Sequence, residues 1–298
     1  MNHNYKNQWL NIYRDLVNAP EYSPRGLKVK EIENYEFTAN PYWRFANFDE
    51  RKLNMRYIIG ELCWYLRGSL EDVEGISHYS KFWATLADTK SPRLNSNYGH
   101  YIFHEIVNGR YSQFNHVIQT LIQDKDSRQA AIIIATHNVL STNHKDKICT
   151  YSMSFRIRND KLNMSVRMRS NDFVLGTQID FFQFSVIQEL VLNFLKLHYP
   201  KLEMGTYHHS SDSFHVYEKH YEMMEQIVSN EGANFQEIIF PKISCENEAR
   251  YIINQLPRFE KTYRELGFPE RLYEEERTSC IKNGYEFTKT CVDYLKKE

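Results

Sequence analysis

From Tyr151 to Val166 the chain alternates side-chain character, Tyr-Ser-Met-Ser-Phe-Arg-Ile-Arg followed by Leu-Asn-Met-Ser-Val, with Asn159-Asp160-Lys161 between the two runs. A period of two is the signature of a strand, and Asn-Asp is turn chemistry. The stretch therefore reads as two paired strands around a tight turn. Cys149 stands at the entrance of this hairpin, and Val166 to Asp180 continues from its exit with Arg167, Arg169, Ser170, two aspartates and Gly176. Arg167 and Arg169 share a face if the segment is extended. A thiol on one side and a guanidinium with a hydroxyl on the other could be bridged by a phosphorylated substrate.

The run that follows, Phe181 to Leu195, is the most apolar long helix and is read as the central one. Upstream, residues 1–20 have helical spacing, Ser23-Pro-Arg-Gly26 is a turn with Arg25 at its tip, and Lys28 to Thr38 reads as a strand. Lys52 to Leu66 is a mostly buried helix with Glu61 inside it; such a carboxylate is costly unless paired or functional. Phe82-Trp83, Asp88 and the polar turn Asn95 to His100, which holds Tyr98, come next. Residues 113–123 form a helix, Asp124 to Gln129 a turn, and Ala130 to Thr136 a short buried strand. Leu202 to Tyr207 is read as a strand, and Ser211 to His220 as the opening of a helix with serine and aspartate caps.

Beyond about residue 240 the chain becomes rich in Glu, Lys, Arg and Tyr at helical spacing, divided near Gly267-Phe-Pro269. This gives a catalytic body over residues 1–240 and a C-terminal helical extension over 241–298, its charge read as a solvated face. Strands and helices do not alternate as a parallel sheet requires, so the class is α+β. The net charge of −1 supplies no global field toward nucleic acid or an anionic membrane. Five cysteines without a Cys-x-x-Cys pair suggest free thiols in a reducing compartment and no metal site. With no apolar signal core at the N-terminus, a cytoplasmic protein is expected, in a host cell if viral.

In this order, several motifs resemble the thymidylate synthase family. They are Ser23-Pro-Arg-Gly26, Gly60-Glu-Leu-Cys-Trp-Tyr-Leu-Arg-Gly68, Phe82-Trp83 with Ala87-Asp88, Asn97-Tyr-Gly99, Asp126-Ser-Arg128, Cys149, Arg169-Ser-Asn-Asp172 with Leu175-Gly176, and His215-Val-Tyr217. Within the family, Asn95 to Gly99, Met168 to Asp172, Thr150 after the cysteine and Asp180 are closer to the phage-type deoxycytidylate hydroxymethylases. Thymidylate synthases have histidine where this chain has Thr150, and a uracil-reading asparagine where it has Asp180. The resemblance implies a mixed sheet at a dimer interface, covered by helices.

It also implies a mechanism. Cys149 would add to C6 of a pyrimidine nucleotide, making C5 nucleophilic toward the one-carbon unit of 5,10-methylenetetrahydrofolate, a co-substrate. Arg169 and the other phosphate-binding arginines would favour the thiolate. Glu61 would manage protons and order water, with Tyr98 in the same network. Asp180 would read the base: an ionised carboxylate accepts from the amino group of cytosine and repels the carbonyl of uracil. Arg25, Arg169 and Ser170 would grip the phosphate, and Arg128 would reach across the homodimer, with Gln129 replacing the family's second arginine. His215 and Tyr217 would hold the sugar, while Trp83, Asp172 and Gly176 would face the folate. The expected reaction is hydroxymethylation of dCMP, with methylation of dCMP or CMP, CMP hydroxymethylation and dUMP methylation as alternatives. The end, Asp293-Tyr-Leu-Lys-Lys-Glu298, lacks the apolar tail that closes thymidylate synthases, which favours water as the terminating nucleophile. A nucleotide- or RNA-binding relative without catalysis would have lost Cys149 or gained a basic stripe, and neither is seen.

Overall fold

The computed structural model describes residues 3–90, 92–107, 109–141 and 143–296. Met1, Asn2, Lys297 and Glu298, parts of the terminal segments read above, lie outside the described residues. Asn159 and Asp160 both take positive φ, 51° and 55°, the conformation a two-residue hairpin turn demands. They join Thr150–Arg158 to Lys161–Met168, whose Arg158↔Lys161 pair closes the loop. Met153, Phe155 and Ile157 of one strand and Leu162, Met164, Val166 and Met168 of the other point into the core. The intervening Ser152, Ser154, Arg156, Asn163, Ser165 and Arg167 are half-buried or exposed, so the sheet has one apolar and one polar face.

The hairpin occupies one side of a seven-stranded mixed sheet. Its order runs Glu21–Tyr22, Val29–Ala39, Glu203–Tyr217, Lys161–Met168, Thr150–Arg158, Ala131–Ile133, with Asn171–Asp172 added beside the long strand. The long strand runs antiparallel to Val29–Ala39 and parallel to Lys161–Met168 and Asn171–Asp172. This corrects the expected helix at Ser211 to His220. Phe214 and Val216 are buried at period two, pairing continues to Tyr217↔Val29, and the helix begins only at Tyr221. Its Ser-Asp-Ser run imitates a cap but lies within a ladder.

The central helix, Gln178–Leu195, is buried on nearly all sides, which explains apolar residues all round it, and its buried polar side chains such as Gln183, Gln188 and Glu189 are hydrogen-bonded. It starts three residues earlier than the apolar run suggests, so Asp180 falls in its first turn. The helix Met55–Arg67 is capped by Asn54, whose side chain accepts from Tyr57 N–H, and ends at left-handed Gly68.

Four C-terminal helices follow, Glu246–Asn254, Leu256–Glu265, Glu270–Asn283 and Glu286–Leu295; the first, second and fourth pack on these two, and Glu270–Asn283 packs on Glu286–Leu295 and Leu256–Glu265. Most of their charge is solvated, but Glu248 and Glu260 are buried. Glu248 accepts from the backbone of Ser244 and Thr288, and Glu260 pairs with Arg67 and Arg264. Among the described residues, no helix is long and apolar enough to cross a membrane.

Candidate active site

Where the hairpin opens, Arg169 folds back over Cys149. Its Nε donates to the Ile148 carbonyl at 2.7 Å, and its Nη2 to the Lys147 carbonyl at 3.1 Å and to Cys149 Sγ at 3.5 Å. The backbone of Cys149 is fixed by its own N–H, which donates to Tyr98 Oη at 3.2 Å, and by Arg169 N–H on its carbonyl. A buried Asp146 clamps the approach, accepting from Ser96 N–H at 2.7 Å and Ser96 Oγ at 2.5 Å. The polar turn that carries Tyr98 is thereby bound to the loop that carries the thiol.

Burial pushes the Cys149 thiol up to about 11. Arg169 and Arg25 pull it down, while Asp180 and Asp146 push it further up. The arginines expected to favour the thiolate are therefore present, but desolvation outweighs them. The other thiols differ from Cys149: Cys63, Cys280 and Cys291 are buried and Cys245 is exposed.

Asp180 stands within electrostatic reach of Cys149, Tyr98 and Glu61. Its Oδ2 accepts from Asn171 Nδ2 at 2.7 Å, and the Asn171 amide is oriented by Thr177 Oγ1, which donates to Asn171 Oδ1 at 2.5 Å. Gly176 leaves room for this clamp: a Cβ there would lie 3.1 Å from Asn171 Nδ2 and 3.3 Å from Asp180 Oδ2. Burial, then the charge of Glu61, raises the Asp180 carboxyl to about 8. Burial thus shifts the balance away from the ionised carboxylate expected from sequence and toward the protonated acid.

Glu61 is buried on the helix Met55–Arg67 and makes no salt bridge among the described residues. Tyr57 Oη donates to its Oε1 at 2.7 Å and Gln183 Nε2 to its Oε2 at 3.2 Å. Burial raises it to about 7, and the two donors hold it back from a larger rise. Trp83, expected on the folate side, turns its indole N–H onto Tyr57 Oη at 3.0 Å. Phe82 next to it leaves a large apolar surface exposed.

Asp172 caps the turn Phe173–Thr177 through Oδ1, which accepts from Val174 and Leu175 N–H. Its Oδ2 is buried without a hydrogen-bond partner among the described residues. His215 and Tyr217 alternate on the long strand with their rings edge to face at 5.4 Å, and His215 lies within electrostatic reach of Asp172. Arg25 is exposed, with φ 55° at the tip of its turn. Ser170 is half-buried beside Arg169, whereas Arg167 pairs with Asp212 at 2.5 Å. Arg128 and Gln129 are exposed ahead of the edge strand.

The structure thus gathers Cys149, Arg169, Tyr98, Asp180, Glu61 and Trp83 into one connected cluster, with Arg25 at electrostatic range. Sequence reasoning missed Tyr57, Gln183 and Thr177. Tyr57 lies at the i−4 position from Glu61, and that spacing is the one signal that could have singled it out.

A sequence model of the thymidylate synthase family matches residues 4–256. The chain belongs to the thymidylate synthase family. It is similar to the deoxyuridylate hydroxymethyltransferase of Bacillus phage SP01, 28% identical over 293 residues, covering 90% of this chain and 74% of that protein. It is also similar to the deoxycytidylate 5-hydroxymethyltransferases of Enterobacteria phages T6 and T4, 30% and 31% identical over 208 residues, covering 67% of this chain and 80% of each. A thermostable thymidylate synthase A from Bacillus subtilis shares the fold, with a TM-score of 0.60 at 18% identity over 76% of this chain and 84% of that one. The α+β class with its mixed sheet is thus the thymidylate synthase fold, and the protein is a thymidylate synthase-like one-carbon transferase.

Proposed function

We propose that this protein hydroxymethylates C5 of deoxycytidylate, using 5,10-methylenetetrahydrofolate as co-substrate and working as a homodimer. The observation that carries the cytosine assignment is the clamped acid at position 180, within electrostatic reach of the thiol. Neutral Asp180 offers one O–H donor and one carbonyl acceptor, which match cytosine N3 and its 4-amino group. Cys149 Sγ adds to C6 once deprotonated, electron density moves onto C5 and N3, and the Asp180 proton is placed to follow it to N3. Arg169, Arg25 and Ser170 serve the phosphate, and a bound dianion changes the field at the thiol that they otherwise favour as thiolate. His215 and Tyr217 serve the sugar.

The folate supplies an electrophilic one-carbon unit. Two features fit it: the exposed face of Phe82 beside Trp83, and the unpartnered Oδ2 of Asp172, which suits an N–H donor. Glu61, titrating near neutrality, can take the C5 proton and then orient the water that completes the hydroxymethyl group. Tyr98, bound to the Cys149 backbone, borders the same space. The polar sheet face suits pairing with a second copy, which would bring Arg128 toward the partner's phosphate site. We place the catalytic body at residues 1–240 and the helical extension at 241–298.

A second reading, hydroxymethylation of deoxyuridylate, is favoured by the similarity over 293 residues to the phage SP01 enzyme of that name. A neutral acid can also turn its carbonyl to uracil N3–H and its hydroxyl to O4. Incubation with methylenetetrahydrofolate and dCMP, CMP or dUMP in separate reactions decides the matter. The expected result is fastest turnover of dCMP, with a product mass gain of one CH2O unit. Equal or faster turnover of dUMP overturns the cytosine assignment, and a gain of CH2 alone overturns hydroxymethylation.

A further inference from the structure

We propose that Tyr57, which lies outside the motifs quoted above for the resemblance, is the positioning residue of Glu61: the indole of Trp83 pins its hydroxyl so that its single proton is aimed at Glu61 Oε1. This role rests on Glu61 being the proton-handling group of the one-carbon transfer, and adds to it the residue that sets its direction and its charge.

The geometry leaves Tyr57 little freedom. A phenol has one proton to give and a lone pair to receive. Trp83 Nε1 can only donate, and at 3.0 Å it occupies the receiving side of Tyr57 Oη. The phenolic proton is left for Glu61 Oε1, 2.7 Å away. Tyr57 and Glu61 are one helical turn apart on the same helix, so the backbone fixes their separation. On the other oxygen, the Gln183 amide is itself anchored on the Ile58 carbonyl at 2.9 Å. Both oxygens of Glu61 are therefore met by donors, one from its own helix and one from the central helix.

The groups facing Glu61 are Tyr57 and Tyr65 from its own helix, Gln183 and Asp180 from the central helix, and Trp83 behind Tyr57. None is cationic. A guanidinium in Tyr57's place would lock the carboxylate ionised, and an apolar residue would leave it permanently protonated. A neutral donor does neither, so Glu61 can both accept and return a proton. Tyr57 itself is held far from ionisation by burial and by the adjacent Glu61 charge, and acts only as a donor.

Tyr57→Phe in the full-length protein tests the role, with turnover and release of the C5 hydrogen of tritiated dCMP and dUMP followed across pH. The Tyr57 bond favours the ionised form, so its loss raises the Glu61 pKa. The acidic limb of the kcat profile should move upward by roughly one pH unit or more, with turnover near pH 7 falling about tenfold and recovering in base. Nucleotide affinity should stay within about twofold, as expected for a group that does not touch the nucleotide. Trp83→Phe, which releases the pin but keeps a ring, should move the limb in the same direction and carries the test if Tyr57→Phe does not fold. Glu61→Gln is measured alongside. If Glu61→Gln removes the limb and neither Tyr57→Phe nor Trp83→Phe shifts it, Tyr57 only packs and the proposal fails. If the limb survives Glu61→Gln, the assignment of Glu61 itself is wrong, a separate and distinguishable failure.

Discussion

Buried carboxylates occur in two regions of this molecule and are treated in opposite ways. Beneath the C-terminal helices, Glu189 is paired with Arg44, and Glu260 with Arg67 and Arg264, each acid almost fully enclosed. In the active site, Glu61 is buried and Asp180 half-buried, yet among the described residues their hydrogen-bond partners are a phenol and two amides. Burial raises Glu189, Glu61 and Asp180 alike, but for Glu189 the guanidinium of Arg44 opposes the rise with a full charge. A carboxylate held by arginine is committed to its charge and serves as a fastener. One held by neutral donors keeps both protonation states within reach and can serve chemistry. The partner, more than the burial, separates architecture from function.

The contrast can be broken most sharply by making the same change in each region. Glu61→Gln should lower turnover by ~10²–10⁴-fold while leaving the melting temperature unchanged or higher, since an isosteric amide removes a desolvated acid. Activity assays beside thermal denaturation check it. Glu189→Gln should do the reverse, leaving Arg44 buried without its counter-charge and costing roughly 3–5 kcal/mol of stability, with turnover per folded molecule preserved. Chemical denaturation and active-site titration separate those two quantities.

Asp180→Asn sharpens the comparison within the pocket. It should shift the ratio of dCMP to dUMP turnover by about 10²-fold or more toward dUMP, chiefly through loss of dCMP activity, as read from paired kcat/KM values.

A smaller effect is expected in the pH dependence of the ligand-free protein. Raised carboxyls bind protons in the folded state that the unfolded chain releases, so their contribution to stability is lost as pH climbs from the ordinary carboxylate range toward about 8. The melting temperature should decline over that window, and Glu61→Gln or Asp180→Asn should flatten the decline. A flat profile in the unmodified protein would contradict the upward shift of both acids.

Much of the scaffold was legible because it is periodic. The hairpin announced itself by alternation around Asn159-Asp160, and the central helix by a long stretch dense in apolar residues. Its start was misjudged because Gln178, Ile179 and Asp180 are not uniformly apolar, although helix geometry already holds there. Ser211 to His220 misled because cap-like residues also occur in strands whose alternate positions are polar, and only the ladder to Val29–Ala39 decides between the two. The chemical residues with motif spacing, Cys149, Arg169 and Glu61, could be named in advance. Tyr57, Gln183 and Thr177 could not, since an aromatic or amide on a buried helix face looks the same in sequence whether it packs or aims a neighbour. Nor could the C-terminal acids Glu248 and Glu260 be told from their solvated neighbours, because only tertiary packing distinguishes them.

The distribution of sulfur has a practical outcome. With Cys63, Cys280 and Cys291 sealed inside, alkylating reagents meet two thiols, an exposed Cys245 and a pocket-bound Cys149. Replacing Cys245 with serine would leave a single reporter for labelling. The rate at which a maleimide consumes it would then give pocket occupancy directly, without any need to observe turnover.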